Sequence, residues 1–289
     1  MSDFHAIGGS RWTRRNVLSR SVAAAAFCQL SCEGSAQQVE SPRIVKALDD
    51  ANVVHGKVTF KSGQDEVDAY QSRPRKEGLY PVVIVVTGSS IGDEYIPNLT
   101  AMFAQHGMVG IAPNIFSLQK DSMTPEEKKK VLVEQMTDEH IFGDLQASID
   151  YANKQGYVKA DRVGISGFCF GGRCALMFAA KSKSIRAVVP FYGNLRTPPW
   201  VKRKEDPLDV LEQIKVPVQG HYADNDAEIP AEHLKQLQDK LKNQGTSIEV
   251  FTYQAQHGFF AYNRRTYNVD AAQTSWQRTV EFFKKNLGS

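Results

Sequence analysis

A doubly wound α/β sheet is the fold class this sequence predicts: a mostly parallel sheet with helices on both faces. Short β-branched runs alternate with helical stretches of ten or more residues, the pattern of parallel strands joined by crossover helices. The run Pro81-Val82-Val83-Ile84-Val85-Val86 is apolar at every position, as a strand buried on both faces must be. One strand, Arg162 to Phe168, leads directly into a glycine-rich turn that opens a helix.

The elements follow in order. Val54 to Phe60 alternates and Val67 to Gln71 is a shorter run, which together predict an opening antiparallel hairpin. After the strand at 81–86, Tyr95 to His106 has helical spacing, with Pro97 in its first turn and Gly107 as a stop. Met108 to Pro113 is a second buried strand, and Pro125 to Met136 and Glu139 to Asn153 are helices. Then come strand Arg162 to Phe168, helix Gly171 to Lys181, strand Ile185 to Phe191, a short helix Leu208 to Gln213 and strand Val216 to Tyr222. Helix Ala231 to Asn243 closes on Gly245, followed by strand Ile248 to Tyr253 and a last helix, Ala271 to Asn286. With no internal repeat, residues 51–289 form one domain, a length of roughly 240 residues being ordinary for this class.

Residues 1–36 read as an export signal and 37–50 as a linker. Thr13-Arg14-Arg15-Asn16-Val17-Leu18 is a twin-arginine pattern, Ser21 to Leu30 a short apolar stretch, and Gly34-Ser35-Ala36 a small-residue cleavage site. This implies the twin-arginine export machinery as a partner and a periplasmic destination; the alternative is a cytoplasmic protein whose leader is not processed. Lipid attachment at Cys32 is a lesser alternative, because Gln29 stands where an aliphatic residue is wanted.

Composition excludes several classes. The chain has 289 residues, is 42% hydrophobic and 23% charged, and carries a net charge of +3, so it is not a wholly disordered chain. No apolar run reaches the roughly 18 residues of a membrane-spanning helix. Beyond residue 36, 31 basic residues face 30 acidic ones, which gives no electrostatic footprint for nucleic acid. No His-Glu-x-x-His or Cys/His cluster occurs at ligand spacing, so no metal is expected. No Gly-rich phosphate loop or dinucleotide fingerprint occurs either.

The sharpest motif is Gly167-Phe168-Cys169-Phe170-Gly171-Gly172, placed between a strand and a helix. This is the setting of a nucleophile elbow, with Cys169 where serine is usual. The tight turn crowds the positions two before and two after the nucleophile, and Gly167 and Gly171 meet that demand. The helix N-terminus beneath Cys169 favours a thiolate. The elbow requires an acid and then a histidine, each after a later strand. Asp226 follows the strand ending at Tyr222 and His257 follows the strand ending at Tyr253, with Asp224 as the rival acid. His55, His106, His140, His221 and His233 lie on or beside elements and read as surface or core histidines. Oxyanion donors are expected from the Phe170 N–H and from the loop Gly88-Ser89-Ser90, at Ser89. Such a site would attack an ester or lactone carbonyl and pass through a thioester that water cleaves. Because a thiolate is itself a good leaving group, esters with a stabilised leaving group, such as enol esters and lactones, suit it best. Cys174, five residues on along one helix, points away from Cys169, so no disulfide between them is expected.

These residues resemble the dienelactone hydrolase family over about 52–287. The matching stretches are Gly167 to Arg173, Phe191-Tyr192-Gly193, Asp226 with Ile229-Pro230, His257-Gly258-Phe259, Trp276-Gln277-Arg278 and Phe282-Phe283. The resemblance implies an α/β-hydrolase fold, no cofactor, a Cys169–Asp226–His257 triad and hydrolysis of a small-molecule dienelactone to an open dicarboxylate. Two departures stand out. Gly88 occupies the place of a family glutamate that contacts the resting thiol. The family's substrate-binding arginines fall near Glu126 and at Ala261, leaving Arg264 and Arg265, or the run Lys128 to Lys130, to bind a substrate carboxylate. Paired with Glu126 and Glu127, that run reads more simply as a solvated helix face. The alternatives are a carboxylesterase of different substrate range, a non-catalytic binding relic of the fold, and a thiol redox protein that would need a resolving cysteine.

Overall fold

The computed structural model describes residues 47–88, 94–119, 122–197 and 203–288. The export leader, most of the linker and Ser89 lie outside these residues. The eight strands are β1 (Val53–Ser62), β2 (Asp65–Pro74), β3 (Tyr80–Val86), β4 (Val109–Pro113), β5 (Val158–Phe168), β6 (Ala187–Phe191), β7 (Val218–Ala223) and β8 (Ile248–Tyr253). The helices are α1 (Tyr95–Gln105), α2 (Pro125–Glu134), α3 (Asp138–Asn153), α4 (Phe170–Lys181), α5 (Pro207–Val210), α6 (Ala231–Asn243) and α7 (Val269–Leu287). The sheet order is β1-β2-β4-β3-β5-β6-β7-β8. β2 runs antiparallel to β1 and β4, and every other pair is parallel. This is the expected doubly wound, mostly parallel sheet of an α/β-hydrolase fold.

The strand at the centre is apolar for a physical reason. Val82 to Val86 are all fully buried, and each such side chain contributes roughly 1.5–3 kcal/mol through burial. β5 shows that helices cover both faces. A Cβ placed on Gly164 would meet Phe283 of α7, whereas one on Gly167 would meet Gly171 and Gly172 of α4. Residues three apart on a strand face opposite ways, so α7 and α4 lie on opposite sides. Phe103 of α1 packs edge-on against Trp276 and Phe283 of α7, and Phe142 of α3 packs on Phe178 of α4, completing the two layers.

Local signals set the boundaries. Thr124 caps α2 through a reciprocal capping box with Glu127, and Pro125 occupies the first helical turn. Thr137 caps α3. Gly107, at φ 79°, lets the chain leave α1 and enter β4. β5 begins four residues before the expected Arg162. Val158 pairs with Tyr80, and a register shift with Asp161 at φ 61° then joins this start to the main ladder at Val163. The short helix expected at 208–213 is α5 followed by a 3₁₀ turn over Leu211–Gln213.

A buried charge pair ties α4 to the start of α3. Arg173, fully buried, donates to both oxygens of Asp138 at 2.8 and 2.9 Å, and to Thr197 Oγ1 and the Glu205 carbonyl at 3.0 Å. Removing one partner leaves the other charge buried and uncompensated. Asp138→Ala is therefore expected to lower unfolding free energy by roughly 3–5 kcal/mol, read as a lower urea midpoint with an unchanged slope.

Candidate active site

The site sits at the carboxyl ends of the parallel strands, where open α/β sheets assemble their chemistry. Cys169 lies between β5 and α4 with φ 56° and ψ −122°, a strained backbone for a residue with a Cβ. Backbone contacts make the strain unavoidable. A Cβ on Gly167 would lie 2.1 Å from the Gly171 carbonyl oxygen, and one on Gly171 would lie 2.1 Å from the Val86 carbonyl oxygen. The turn therefore presses α4 against β3 and β5, and both glycines are required for the reason the sequence suggested. Gly172 and Gly193 make a second close approach, with a Cβ on Gly172 only 2.7 Å from Gly193 Cα.

The structure brings the three predicted side chains together. His257 Nε2 is 3.2 Å from Cys169 Sγ, and His257 Nδ1 is 2.8 Å from Asp226 Oδ2. The Asp226 side chain is fully buried, and its other oxygen accepts the Glu228 N–H at 2.9 Å. Asp224, the rival acid, accepts the Ala255 N–H and holds the loop after β8. Burial on its own pulls the His257 pKa down. The hydrogen bonds and negative charges of Asp226 and Cys169 outweigh it and push the value up to about 10, so the imidazolium is favoured at neutral pH. The Tyr192 ring meets the His257 ring edge-on at 5.1 Å between centroids, which fixes its plane. Tyr192 is itself at φ 37°, and its phenol shares a hydrogen bond with Tyr95.

Phe170 is the first residue of α4, so its N–H has no partner within the helix. A Cβ on Gly88 would stand 3.5 Å from Phe170 N and 3.6 Å from Cys169 Cβ, which are ordinary contacts. Gly88 itself thus faces the elbow, and a Cβ fits there. A narrow cleft of about 40 Å³ opens over the sulfur, lined by Thr87, Gly88, Tyr95, Tyr192, Ala261 and Arg264 among others. Arg264 reaches this cleft, but Arg265 does not. Successive side chains in the turn after Gly258 diverge, and Arg265 instead lines a separate groove with Asp224 and Tyr267. Ala261, where the resemblance calls for arginine, is buried in the cleft wall. Lys129 and Lys130 are exposed on α2.

The remaining polar groups sort into structural roles. His221 is buried, bonded to Tyr253, Gln219 and Thr279, and burial pushes its pKa down to about 3, so it is a neutral core histidine. Cys174 is a free, buried thiol pushed up to about 12 by burial, and Cys169 is the other free thiol among the described residues. That burial leaves Cys174 a poor resolving partner for a redox cycle. Among the described residues there is no group of three or more His, Cys, Asp or Glu placed to hold a metal, and no helix long and apolar enough to cross a membrane. Sequence reasoning missed Glu228, Asn194 and Tyr192 as neighbours of the site. For Glu228 the available signal was an acidic residue two positions after Asp226 in the same loop.

Known proteins resemble this chain in sequence and in fold. A Yersinia pestis protein named "Putative carboxymethylenebutenolidase" is 33% identical over 236 residues, 80% of this chain and 88% of that one. A Bradyrhizobium protein named "Probable 2-oxo-3-(5-oxofuran-2-ylidene)propanoate lactonase" is 32% identical over 222 residues, 76% of this chain and 89% of that one. The crystal structure of a Klebsiella pneumoniae protein named "Putative Dienelactone Hydrolase" superposes with a TM-score of 0.74 at 29% identity, covering 81% of this chain and 99% of that one. Residues 67–287, from the second strand through the last helix and including the whole elbow, match the dienelactone hydrolase family, and the chain belongs to that family.

Proposed function

We propose that the protein hydrolyses an ester or lactone of the dienelactone type, with Cys169 as nucleophile, His257 as proton carrier and Asp226 as its orienter. The observation that carries this reading is the continuous hydrogen-bonded line from Cys169 Sγ through both His257 nitrogens to buried Asp226, set on a strained elbow. In the resting pair the proton of Sγ sits on Nε2; the thiolate attacks the carbonyl carbon, while Asp226 holds Nδ1–H and stabilises the imidazolium. The Phe170 N–H receives the negative charge that develops on the carbonyl oxygen. Collapse expels the ring oxygen, which takes the proton from His257 Nε2, and leaves an acyl thioester on Cys169. Water, activated by neutral His257, then cleaves it. Arg264, exposed at the cleft, is placed to meet a substrate carboxylate.

With Ala261 in the cleft wall, the carboxylate rests on fewer cations than the resemblance calls for, and this favours a second reading: a carboxylesterase of broader range. Hydrolysis of a dienelactone and of an aryl ester, wild type beside Cys169→Ala, separates the two. Turnover of both substrates, lost in the variant, supports the first reading. Turnover of the aryl ester alone supports the second. No turnover by folded, reduced protein would leave a ligand-binding relic.

A further inference from the structure

Glu228 stands on the solvent side of His257. Its Oε2 is 3.9 Å from His257 Nε2, the same nitrogen that faces Cys169 Sγ at 3.2 Å. That gap is too long for a hydrogen bond and matches the span of one water molecule bonded to both groups. Glu228 is held at two points, one on its backbone and one on its carboxylate. Its backbone N–H is held by Asp226 Oδ1 at 2.9 Å, and its Oε2 accepts the Asn194 side-chain amide at 3.2 Å. The side chain is 55% exposed, so water reaches the gap directly from solvent. Asn194 follows Tyr192-Gly193, whose backbone passes close to α4, so this anchor is rigidly tied to the elbow.

We propose that Glu228 is the positioning residue for the hydrolytic water in the second half-reaction. The inference rests on the thioester reading above. Once Sγ is acylated and Nε2 has given its proton to the leaving oxygen, Nε2 turns to water. One water hydrogen points at Nε2 and the other at the Glu228 carboxylate, which aims an oxygen lone pair at the thioester carbon. The oxygen bonds to that carbon as the first proton passes to Nε2. Collapse breaks the C–S bond, and its electron pair returns to Sγ as thiolate beside the imidazolium. The acid product releases its remaining proton to solvent. Glu228 neither gains nor loses a proton, so the step balances without it. During acylation the thiol, not water, occupies Nε2, and Glu228 has no part.

The test uses the full chain with p-nitrophenyl acetate and separates the two half-reactions. The p-nitrophenolate burst reads acylation, and the lifetime of the acetyl adduct on Cys169, followed by rapid quench and intact-protein mass, reads deacylation. In Glu228→Ala the adduct is expected to decay roughly ten- to a hundredfold more slowly, with the burst rate within about twofold of wild type. Glu228→Gln, which keeps an oxygen acceptor, is expected to recover most of the decay rate. Asn194→Ala, which frees the carboxylate, should slow decay in the same direction by less. An unchanged adduct lifetime in Glu228→Ala, or equal slowing of burst and decay, overturns the inference while leaving the thioester mechanism standing. Full turnover retained in Cys169→Ala overturns that mechanism and this inference with it.

Discussion

Asp226→Asn is expected to lower kcat by roughly 10²- to 10⁴-fold while leaving the fold intact, because the side chain keeps its size and loses its charge. The carboxylate accepts Nδ1–H of His257 at 2.8 Å and so lets Nε2 hold the proton of Sγ. An amide nitrogen turned toward Nδ1 would donate instead, place the ring proton on Nε2 and block that transfer. The protonation of His257 must change as well. Burial pulls its pKa down, and the bonds and charges of Asp226 and Cys169 raise it to about 10. Removing the carboxylate leaves burial in place and deletes one of the two opposing partners. The pKa therefore falls, and the imidazolium is lost at a lower pH than in wild type. The ring-carbon shift of His257 in isotope-labelled protein reads this directly. Wild type should titrate near 10 and the variant clearly below it, alongside the loss of turnover. Equal titration curves, or a kcat within a few-fold of wild type, would remove Asp226 from its role.

Gly171→Ala is expected to cost at least about 3 kcal/mol of stability and to abolish turnover of any ester, since the added methyl meets rigid backbone. The new carbon would lie 2.1 Å from the Val86 carbonyl oxygen and 2.8 Å from Thr87 N. Neither atom is the end of a flexible side chain. Relief requires α4 to move away from β3, and that movement carries Cys169 and the Phe170 N–H out of line with His257. Gly56→Ala in β1 is the matched control. Nothing lies within 4 Å of its Cβ, and alanine loses less backbone freedom than glycine on folding. A thermal melt should place the control at or above wild type and Gly171→Ala many degrees below. Similar melting of the two glycine variants would mean that the elbow tolerates expansion.

Features dictated by local chemistry are legible in the amino-acid sequence. Continuous apolar runs at 81–86 and 109–113 can only be strands covered on both faces, and they are β3 and β4 at the middle of the sheet. Turn sterics near Cys169 involve residues two apart, so the need for Gly167 and Gly171 is written in the motif. The order of Asp226 and His257 after later strands follows from chain connectivity in a parallel sheet. The ends of β5 and of the short helix at 207–210 were less legible, because a register shift and a 3₁₀ turn depend on neighbouring strands and helices.

Choices between residues of like chemistry were decided by the tertiary structure alone. Asp224 and Asp226 share one loop, and only the packing of that loop turns Asp226 to His257 and Asp224 to the backbone of Ala255. Arg264 and Arg265 are adjacent, and only the first reaches the cleft. Glu228 gains its place from Asn194, 34 residues away, and the buried Arg173 from Asp138, 35 residues away. The physical reason is range. Hydrogen-bonded turns, caps and strand periodicity act over a few residues and leave a mark in the sequence. The direction of a side chain in a loop is set by contacts between distant segments, and these exist only once the sheet has brought them together.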